Sequence, residues 1–363
     1  MTAARTRQPT EGEASISDRQ KRIFEAVVLD YIRTGEPVAS GNLSERHSMD
    51  LSAASIRKVL HELEELGLLS QAHPSAGRTP TEEGFRFYAD DILEVKRLPA
   101  GLRAQIQKEI LSSDFRAESM FSLCSRVLSN LTSHMGLVMA PAVGQLSLLK
   151  LYFERLGESQ HLAVLLTRNG IIQNRVVVTP QDFSQEELNE VNVFLESLES
   201  PFTLGEVRAR LMKDMAESRS EFERIFKRAF LLASGASEAQ PTAEGDRGPD
   251  IYMDGEGRQR LLEHPDFRDA EAMRALYRAF ENKRRLVELL NDVTGGGRVR
   301  VVIGPSGEGE DGLALVASPY RAGGGDAGAL GAIGVLGPRR LNYSEIVPVV
   351  DYAAQVLSGI FHK

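Results

Sequence analysis

The residues best suited to contact a ligand lie near the start of one predicted helix, on the side that faces solvent. They are small or basic, namely Ser52, Ala54, Ser55, Arg57, Lys58 and His61. Basic side chains and hydroxyls bind phosphates and base edges, and small residues let a helix backbone approach DNA closely. Three glutamates follow within the next four positions, so positive charge occupies only the N-terminal half of this side. This polarity is typical of a recognition helix whose first turns enter the major groove.

The other side of this helix is apolar. Residues at helical spacing along it are predicted to be buried, namely Ile56, Val59, Leu60, Leu63 and Leu66. An ordinary amphipathic helix with a solvated, mixed-charge face would show the same pattern, so the helix alone does not establish DNA binding. The sequence on either side of the helix is needed to distinguish the two interpretations.

A short loop rich in turn-forming residues follows this helix. The stretch QAHPSAGRTPTEEGFRF (71–87) contains two prolines, two glycines and two arginines. Proline and glycine fix tight turns, and here we expect them to present His73, Ser75 and Arg78. In a winged helix-turn-helix domain a loop at this position is the wing, which contacts the DNA backbone or the minor groove. Arg86 is a further candidate phosphate contact, with a surface salt bridge as its alternative role.

Four predicted helices position these residues. We place them at 18–34, 40–47, 52–67 and 81–97. Ser40 and Ser52 are predicted N-caps, and Gly35 and Gly67 are predicted helix stops. Three helices, a basic loop and a fourth helix, in this order, favour a winged helix-turn-helix domain over 17–98.

Beyond the stretch LPAG (98–101) the chain alternates between helical and strand-like segments. Predicted helices cover 102–112, 115–133, 184–199, 205–233, 256–292 and 343–358. Apolar runs between them are predicted strands, and Asn169-Gly170 indicates a β-hairpin. The polar segment 234–250 is expected to be a mobile loop. A strand-rich region interrupted by a helical block indicates an α+β domain that carries an insertion.

Composition limits the class of protein. With 363 residues, 42% of them hydrophobic and 26% charged, the chain has an ordinary globular composition and the length of two or three domains. It lacks an apolar run of the ~20 residues that span a bilayer. Residues 1–16 lack the apolar segment of a signal peptide, so we expect a disordered tail, a cytoplasmic location and no membrane partner. Cys124 is the single cysteine, which excludes an internal disulfide. Because the net charge is −8, DNA binding requires positive charge concentrated on one face.

The sequence shows no recognisable catalytic or cofactor motif. Gly304-x-x-Gly307-x-Gly309 resembles a glycine-rich phosphate-binding loop. It lacks the Lys-Ser/Thr pair of a P-loop, however, and lies among acidic residues. A turn between strands is the favoured interpretation. The seven histidines show no H-E-x-x-H spacing, and no G-x-S-x-G elbow is present. We therefore expect neither an enzyme nor a metal or cofactor site.

Several stretches of the sequence resemble one known family. They are YIRTGEPVAS (31–40), LSAASIRKVLHELEELGLL (51–69), AHPSAGRTPTEEGFRFYAD (72–90), IYMDGEGRQRLLEHPDF (251–267) and GAIGVLGPRRLNYSEIVPVVDYAAQVLS (331–358). Together they resemble the HrcA family of bacterial heat-inducible transcription repressors. The family usually has other residues at 58–60, and the outward-facing Lys58 is the departure that bears on an operator contact.

The resemblance implies a dimeric repressor of chaperone operons that binds the CIRCE inverted repeat in double-stranded DNA and needs the chaperonin GroEL to stay active. It also implies a winged helix-turn-helix domain, a GAF-like α+β domain and an inserted, mainly helical dimerisation domain. On this chain we assign the GAF-like domain to 101–204 and 286–363, and the insertion to 205–285. The alternative is a winged-helix regulator controlled by a small effector in the GAF-like domain, with 320–331 as the rim of its pocket.

Overall fold

The chain divides into two units, Met1–Glu94 and Val95–Lys363, in a computed structural model. The structure describes residues 16–47, 51–73, 76–112, 116–141, 146–168, 172–197, 202–207, 209, 223–237, 249–268, 273–274, 276–277, 283–296, 298–304, 312–321 and 329–362. Over these residues the protein is of mixed α+β class, as predicted. None of the helices in this part of the chain is both long and apolar enough to cross a membrane.

The first unit begins with three helices, α1 (Asp18–Thr34), α2 (Ser40–Arg46) and α3 (Ala53–Glu65). The buried side chains of α1 and α3 include Phe24, Val27, Val28, Ile56, Val59, Leu60 and Leu63. This confirms most of the apolar face predicted for α3. Leu66 is an exception: it is 39% exposed because it lies past the last residue of the helix.

Local hydrogen bonds and glycines set the ends of these helices. The Ser52 hydroxyl accepts a hydrogen bond from the backbone N–H three residues later, which confirms the predicted N-cap of α3. Gly35 and Gly67 have left-handed backbones, with φ of 71° and 72°, and follow α1 and α3 as predicted. The prediction that Ser40 caps α2 is wrong, since the N-cap is Ala39, which offers no side-chain hydrogen bond.

A small antiparallel sheet follows α3. Its strands are β1 (Leu69–Ser70) and β2 (Thr79–Pro80), joined by the loop predicted from the sequence. Val38, between α1 and α2, extends the sheet through two backbone hydrogen bonds with Arg78, of 2.8 and 2.9 Å. The loop is therefore attached to the helices by main-chain pairing.

The fourth predicted helix is shorter than expected. It consists of α4 (Glu82–Phe87) and a π-helical turn (Tyr88–Ile92), and the Thr81 hydroxyl caps its start. The sequence predicts a helix as far as residue 97. Residues 94–97 are exposed, so a longer helix would gain no packing there.

Close packing requires two glycines in this region. A Cβ atom on Gly77 would lie 2.6 Å from the backbone carbonyl carbon of Pro37. A Cβ atom on Gly84 would lie 2.1 Å from the carbonyl oxygen of Leu68. Any side chain at either position would have to displace backbone, because these distances are far below van der Waals contact.

The second unit contains two sheets. Its helices are α5 (Ala100–Leu111), α6 (Ala117–Thr132), α7 (Gln185–Glu196), α8 (Glu223–Ser237), α9 (Gly255–Leu262), α10 (Lys283–Gly296) and α11 (Tyr343–His362). Its strands are β3 (Met135–Met139), β4 (Leu148–Gly157), β5 (Gln160–Thr167), β6 (Ile172–Val178), β7 (Ile251–Met253), β8 (Arg300–Ile303), β9 (Leu313–Arg321) and β10 (Ala329–Pro338). They form two antiparallel sheets, ordered β7–β3–β10–β9–β8 and β4–β5–β6.

Helices cover both faces of the five-stranded sheet. Met135 and Leu137 of β3 point into a core shared with α9 and α10, whereas Gly136 between them packs against the backbone of Ser125 in α6. Every residue of β3 is buried, and in β9 only Arg321 is partly exposed. This burial explains why both strands are continuous apolar runs in the sequence.

The three-stranded sheet has one well-covered face. α7 and α8 pack on it, over a core that includes Leu151, Phe153, Leu165 and Val177. The residues that point to the other side include nine that are partly or fully exposed, namely Lys150, Tyr152, Glu154, Leu162, Val164, Leu166, Ile172, Asn174 and Val176. We call these nine residues the open sheet face.

The strand pairing bears on the domain layout expected from the sequence. β7 lies within the segment 205–285 that the sequence assigns to the insertion, yet it pairs with β3 in the five-stranded sheet. Conversely, the sequence assigns β4–β6 to the same domain as β3. In the structure, β4–β6 form a separate sheet. α8 also continues to Ser237, into the predicted loop 234–250. The predicted turn Asn169-Gly170 lies outside the described residues, although β5 and β6 on either side of it pair antiparallel.

Candidate nucleic-acid interface

The start of α3 presents one continuous polar stripe to solvent. Ala54, Arg57, Lys58 and His61 follow one another at helical spacing, and all four are exposed, as is Ser52 at the N-cap. On the opposite side, Ile56, Val59, Leu60 and Leu63 are buried in the core of the unit. The helix is therefore held by its apolar face, and the stripe is available to a partner.

Arg57 and Lys58 are the cations of this stripe that keep their charge uncompensated. Neither makes an ion pair or side-chain hydrogen bond with any residue that the structure describes. His61 differs, because its Nδ1 lies 3.7 Å from Glu64 Oε2 and its Nε2 lies 3.6 Å from Glu65 Oε1. A phosphate would meet free positive charge at the start of α3 and carboxylates further along it.

The two predicted serines on this helix, Ser52 and Ser55, also form its N-terminal cap. The Ser52 hydroxyl accepts from the Ser55 N–H at 3.2 Å and donates to the Ser55 hydroxyl at 3.1 Å. Ser52 is exposed and Ser55 is half-buried. A hydroxyl has two acceptor lone pairs and one donor, so capping of α3 leaves part of this capacity for a phosphate or a base.

The loop between β1 and β2 is held by its own hydrogen bonds. Gln71 Nε2 donates to the Ala76 carbonyl at 2.6 Å, and the Ala76 N–H donates to the His73 carbonyl at 2.8 Å. His73 is exposed at the described edge of this loop. Ser75 lies outside the described residues.

Arg78 is located differently from what the sequence suggested. Its side chain is only 12% exposed, and its Nε lies 3.4 Å from Glu64 Oε2 on α3. Together with the backbone pairing to Val38, this contact ties the loop to α3. The geometry therefore gives Arg78 a role in positioning the loop, in addition to any contact with a ligand.

Arg86 takes the alternative role that the sequence left open. It is on α4, where it forms ion pairs with Glu82 and, at 3.7 Å, with Glu83. Its side chain is 47% exposed. Two neighbouring carboxylates compete with any phosphate for this guanidinium.

A buried carboxylate that the sequence analysis did not single out helps to position these helices. Asp30 of α1 is 4% exposed, and it lies 2.8 Å from Arg33, 3.8 Å from Arg46 at the end of α2 and 3.4 Å from His47. The burial of Asp30 could have been predicted from the sequence, because Asp30 follows Val27 by three residues and so lies on the apolar face of α1. A lone carboxylate on such a face needs a partner.

We expect the substitution Arg78→Ala to lower the free energy of unfolding by about 1–2 kcal/mol, because it leaves the partly buried Glu64 without its cation. Thermal or urea unfolding measures this loss. In the double variant with Glu64→Gln most of the loss should be restored, since no unpaired charge is left. The positioning role would be excluded if the losses in free energy of unfolding of the two single variants simply added in the double variant. It would also be excluded if the Arg78→Ala protein were as stable as wild type.

Comparison with known proteins identifies the family to which this chain is similar. A family model described as the HrcA protein C terminal domain matches residues 118–347. The curated relative from Geobacter sulfurreducens, named heat-inducible transcription repressor HrcA, is 35% identical over 347 residues, which cover 95% of this chain and 98% of the relative. The relative of the same name from Brucella canis is 36% identical over 356 residues, covering 96% and 97%.

A solved structure supports the fold over the same length. It is titled a crystal structure of a hypothetical protein at 2.2 Å resolution, and it matches with a TM-score of 0.57 and 24% identity over 95% of this chain and 97% of that one. Sequence identity over nearly the full length and the match to the family model agree. This chain belongs to the HrcA family of heat-inducible transcription repressors.

Proposed function

We propose that the protein represses class I heat-shock (chaperone) operons by binding the inverted-repeat CIRCE operator as a homodimer, and that the chaperonin GroEL modulates its activity. The family supports the repressor class and the heat-inducible context. One structural observation carries the DNA-binding part of the proposal. Arg57 and Lys58 stand side by side, exposed, at the start of the exposed stripe of α3, without an ion pair among the described residues.

In this proposal the first unit is a winged helix-turn-helix domain. α2 and α3 form the helix-turn-helix, α3 enters the major groove with its N-terminal end, and the β1–β2 loop is the wing. The proposed DNA contacts are Ser52, Ala54, Ser55, Arg57, Lys58, His61, His73, Ser75, Arg78 and Arg86. The geometry favours Arg57 and Lys58 as the strongest contacts, because the cations of Arg78 and Arg86 are already paired with carboxylates.

The open sheet face supports the proposed homodimer. It is largely apolar and extends across three strands, with Val164 at its centre between Tyr152 and Asn174. Tyr152 is 42% and Ile172 is 41% exposed. Contiguous exposed apolar surface of this kind marks interaction sites. A two-fold axis through this face would pair two identical surfaces and present two recognition helices to an inverted repeat.

The sheets suggest a revised domain layout within the proposal. The five-stranded sheet with α5, α6, α9, α10 and α11 would be the GAF-like domain, built from about 100–141 and 249–362. The three-stranded sheet with α7 and α8 would be the inserted dimerisation domain, over 146–237. This moves the insertion towards the N-terminus from 205–285, and it places the open sheet face within the inserted domain.

Chaperonin control would act on the supply of folded dimer. Under heat, unfolded proteins occupy the chaperonin, less repressor reaches its DNA-binding state, and the operons are transcribed. Because operator binding requires two subunits, it responds steeply to the concentration of folded chains.

Fluorescence anisotropy with a labelled duplex that carries the inverted repeat tests this function. We expect binding at least ~1000-fold tighter than to a scrambled duplex, and a steep loss of affinity as salt rises. The titration is run with and without GroEL and ATP. A higher active fraction with chaperonin would support its role. Equally weak binding to both duplexes in both conditions would exclude the operator assignment.

A further inference from the structure

The second unit contains a cavity of about 550 Å³ beside the start of α11. It is bounded by the end of α6, by the first turns of α11 and by the segment 96–99, which leads into α5. All of these residues belong to the second unit. Neither the proposed DNA contacts nor the open sheet face takes part in this cavity.

Half of the residues that line the cavity are apolar. The apolar lining residues are Leu98, Pro99, Leu102, Leu131, Ile346, Pro348 and Val349. They come from three parts of the chain that are far apart in sequence and that the fold brings together. A wall of this kind favours an apolar body over a small inorganic ion, because it gains from excluding water.

One part of the lining carries free positive charge. Lys96 and Arg97 line the cavity, and neither has an ion pair or side-chain hydrogen bond with a described residue. Glu345 is the one carboxylate among the lining residues, and it is exposed to solvent. The charged groups around the cavity therefore favour an anion.

Polar groups at the same cavity can accept or donate a hydrogen bond without adding charge. Burial, together with the nearby His264 and Arg340, lowers the pKa of His134 to about 4, against the opposing effect of Asp266. Its imidazole is therefore neutral at physiological pH. No side-chain hydrogen bond joins it to the rest of the described protein. Ser344, which also lines the cavity, donates to Asn342 at 2.8 Å.

We propose that this cavity binds a small organic anion, with its apolar body against the wall of Leu102, Leu131 and Ile346 and its acidic group at Lys96 and Arg97. Neutral His134 is placed to hydrogen-bond a polar substituent of the ligand. The class of ligand is an organic carboxylate or a comparable acid with a hydrophobic body. An amine of the same shape would be excluded by like charge.

The location indicates what the ligand would control. Residues 93–99 have no regular secondary structure and connect the two units. A second cavity, of about 320 Å³, shares Lys96, Arg97 and Leu98 with the first, so this connection has open space on two sides. A ligand held by Lys96 and Arg97 would restrain this connection.

The pocket rim expected at 320–331 lies partly outside the described residues, which include only 320–321 and 329–331 of it, and these do not line this cavity. Tyr320 is fully buried, and its hydroxyl donates to the Met139 carbonyl at 2.7 Å. It lies in the aromatic cluster of Phe121 and Phe361. That position has a packing role in the sheet.

Titration of the full-length protein with 2-naphthoate tests the proposal, with 2-naphthylmethylamine as a probe of matched shape and opposite charge. The chain has no tryptophan, so naphthyl fluorescence is free of indole background. We expect saturable 1:1 binding of naphthoate and at least about tenfold weaker binding of the amine, as a charge-assisted contact implies. Hydrogen exchange should show protection of the backbone amides of residues 96–98 on binding.

The variant Lys96→Gln/Arg97→Gln should weaken naphthoate binding at least about tenfold. Both residues are exposed, so the fold should be unaffected. The matched control Lys108→Gln/Arg126→Gln removes the same charges from exposed positions of the same unit and should bind like wild type. Equal binding of acid and amine, an unchanged affinity of the double variant, or no saturable binding would overturn the proposal. The assay contains no DNA, so its result is independent of the proposed repressor function.

Discussion

The double variant Arg57→Ala/Lys58→Ala is expected to bind the proposed operator about a thousandfold more weakly than wild type, with an unchanged Tm. Both side chains are exposed and make no contact that stabilises the fold among the described residues. Each is expected to contribute ~1 kcal/mol or more at DNA, and the dimer presents each of them twice. Four lost contacts of this size amount to about 4 kcal/mol, or roughly three orders of magnitude in affinity.

The salt dependence of the same variant distinguishes the kinds of contact. Each phosphate contact that is lost should reduce the slope of log affinity against log salt by roughly 0.9. Loss of a base contact should instead weaken binding to the inverted repeat more than to a scrambled duplex. The control Lys108→Ala/Arg126→Ala removes the same net charge from the second unit. If the two double variants bind alike, α3 is not the recognition helix.

The substitution Val164→Arg is expected to convert the proposed dimer to monomers, raising the dimer dissociation constant at least about a thousandfold. Val164 lies at the centre of the open sheet face, so a two-fold interface would bury the new charge twice without a partner. In the monomer the side chain remains at a partly exposed position, and the fold should persist. Sedimentation measures the mass, and anisotropy should show a parallel loss of operator binding.

Val193→Arg is the matched control for this experiment. Val193 lies on α7, on the covered side of the same sheet, and is 69% exposed towards solvent. The same substitution there adds the same charge to the same part of the chain. A Val164→Arg protein that is still dimeric would move the interface away from the open sheet face. A Val193→Arg protein that became monomeric would place the interface on the α7 side.

Local features of the first unit could be predicted from the sequence because short-range physics fixes them. The Ser52 cap, the left-handed Gly35 and Gly67 and the buried face of α3 all depend on neighbours within one or two turns. The partner of Arg78 could not be predicted in this way. Glu64 is on a different element, and its 3.4 Å approach depends on how the sheet packs on α3.

The layout of the second unit was harder because strand pairing is non-local. β7 has only three residues, too few to show a periodic pattern, and its partner β3 is more than a hundred residues earlier. Strand β5 alternates Leu162, Val164 and Leu166 with apolar residues that face inward, so it reads as a strand buried on both sides. Only the structure shows that α7 and α8 cover one face.

The glycines of the stretch SAGRTPTEEGF illustrate a similar limit. The sequence predicts that Gly77 helps to form a tight turn. The structure gives a different reason, since neither Gly77 nor Gly84 has a left-handed backbone, and both lie against the main chain of another segment. A glycine required by a close approach has no local signature, because the other backbone comes from elsewhere in the sequence.

The central pairing of the five-stranded sheet has a kinetic consequence. Leu137 of β3 pairs with Gly334 of β10, roughly 200 residues later. All three strands of the other sheet lie between them in the sequence. At a translation rate of ~5–20 residues per second, β3 leaves the ribosome about 10–40 s before its partner exists. Such high contact order slows folding, and an apolar strand without its neighbours is prone to aggregate. We therefore expect the five-stranded sheet to form only near the end of synthesis, and this interval is the stage at which the proposed chaperonin control would act.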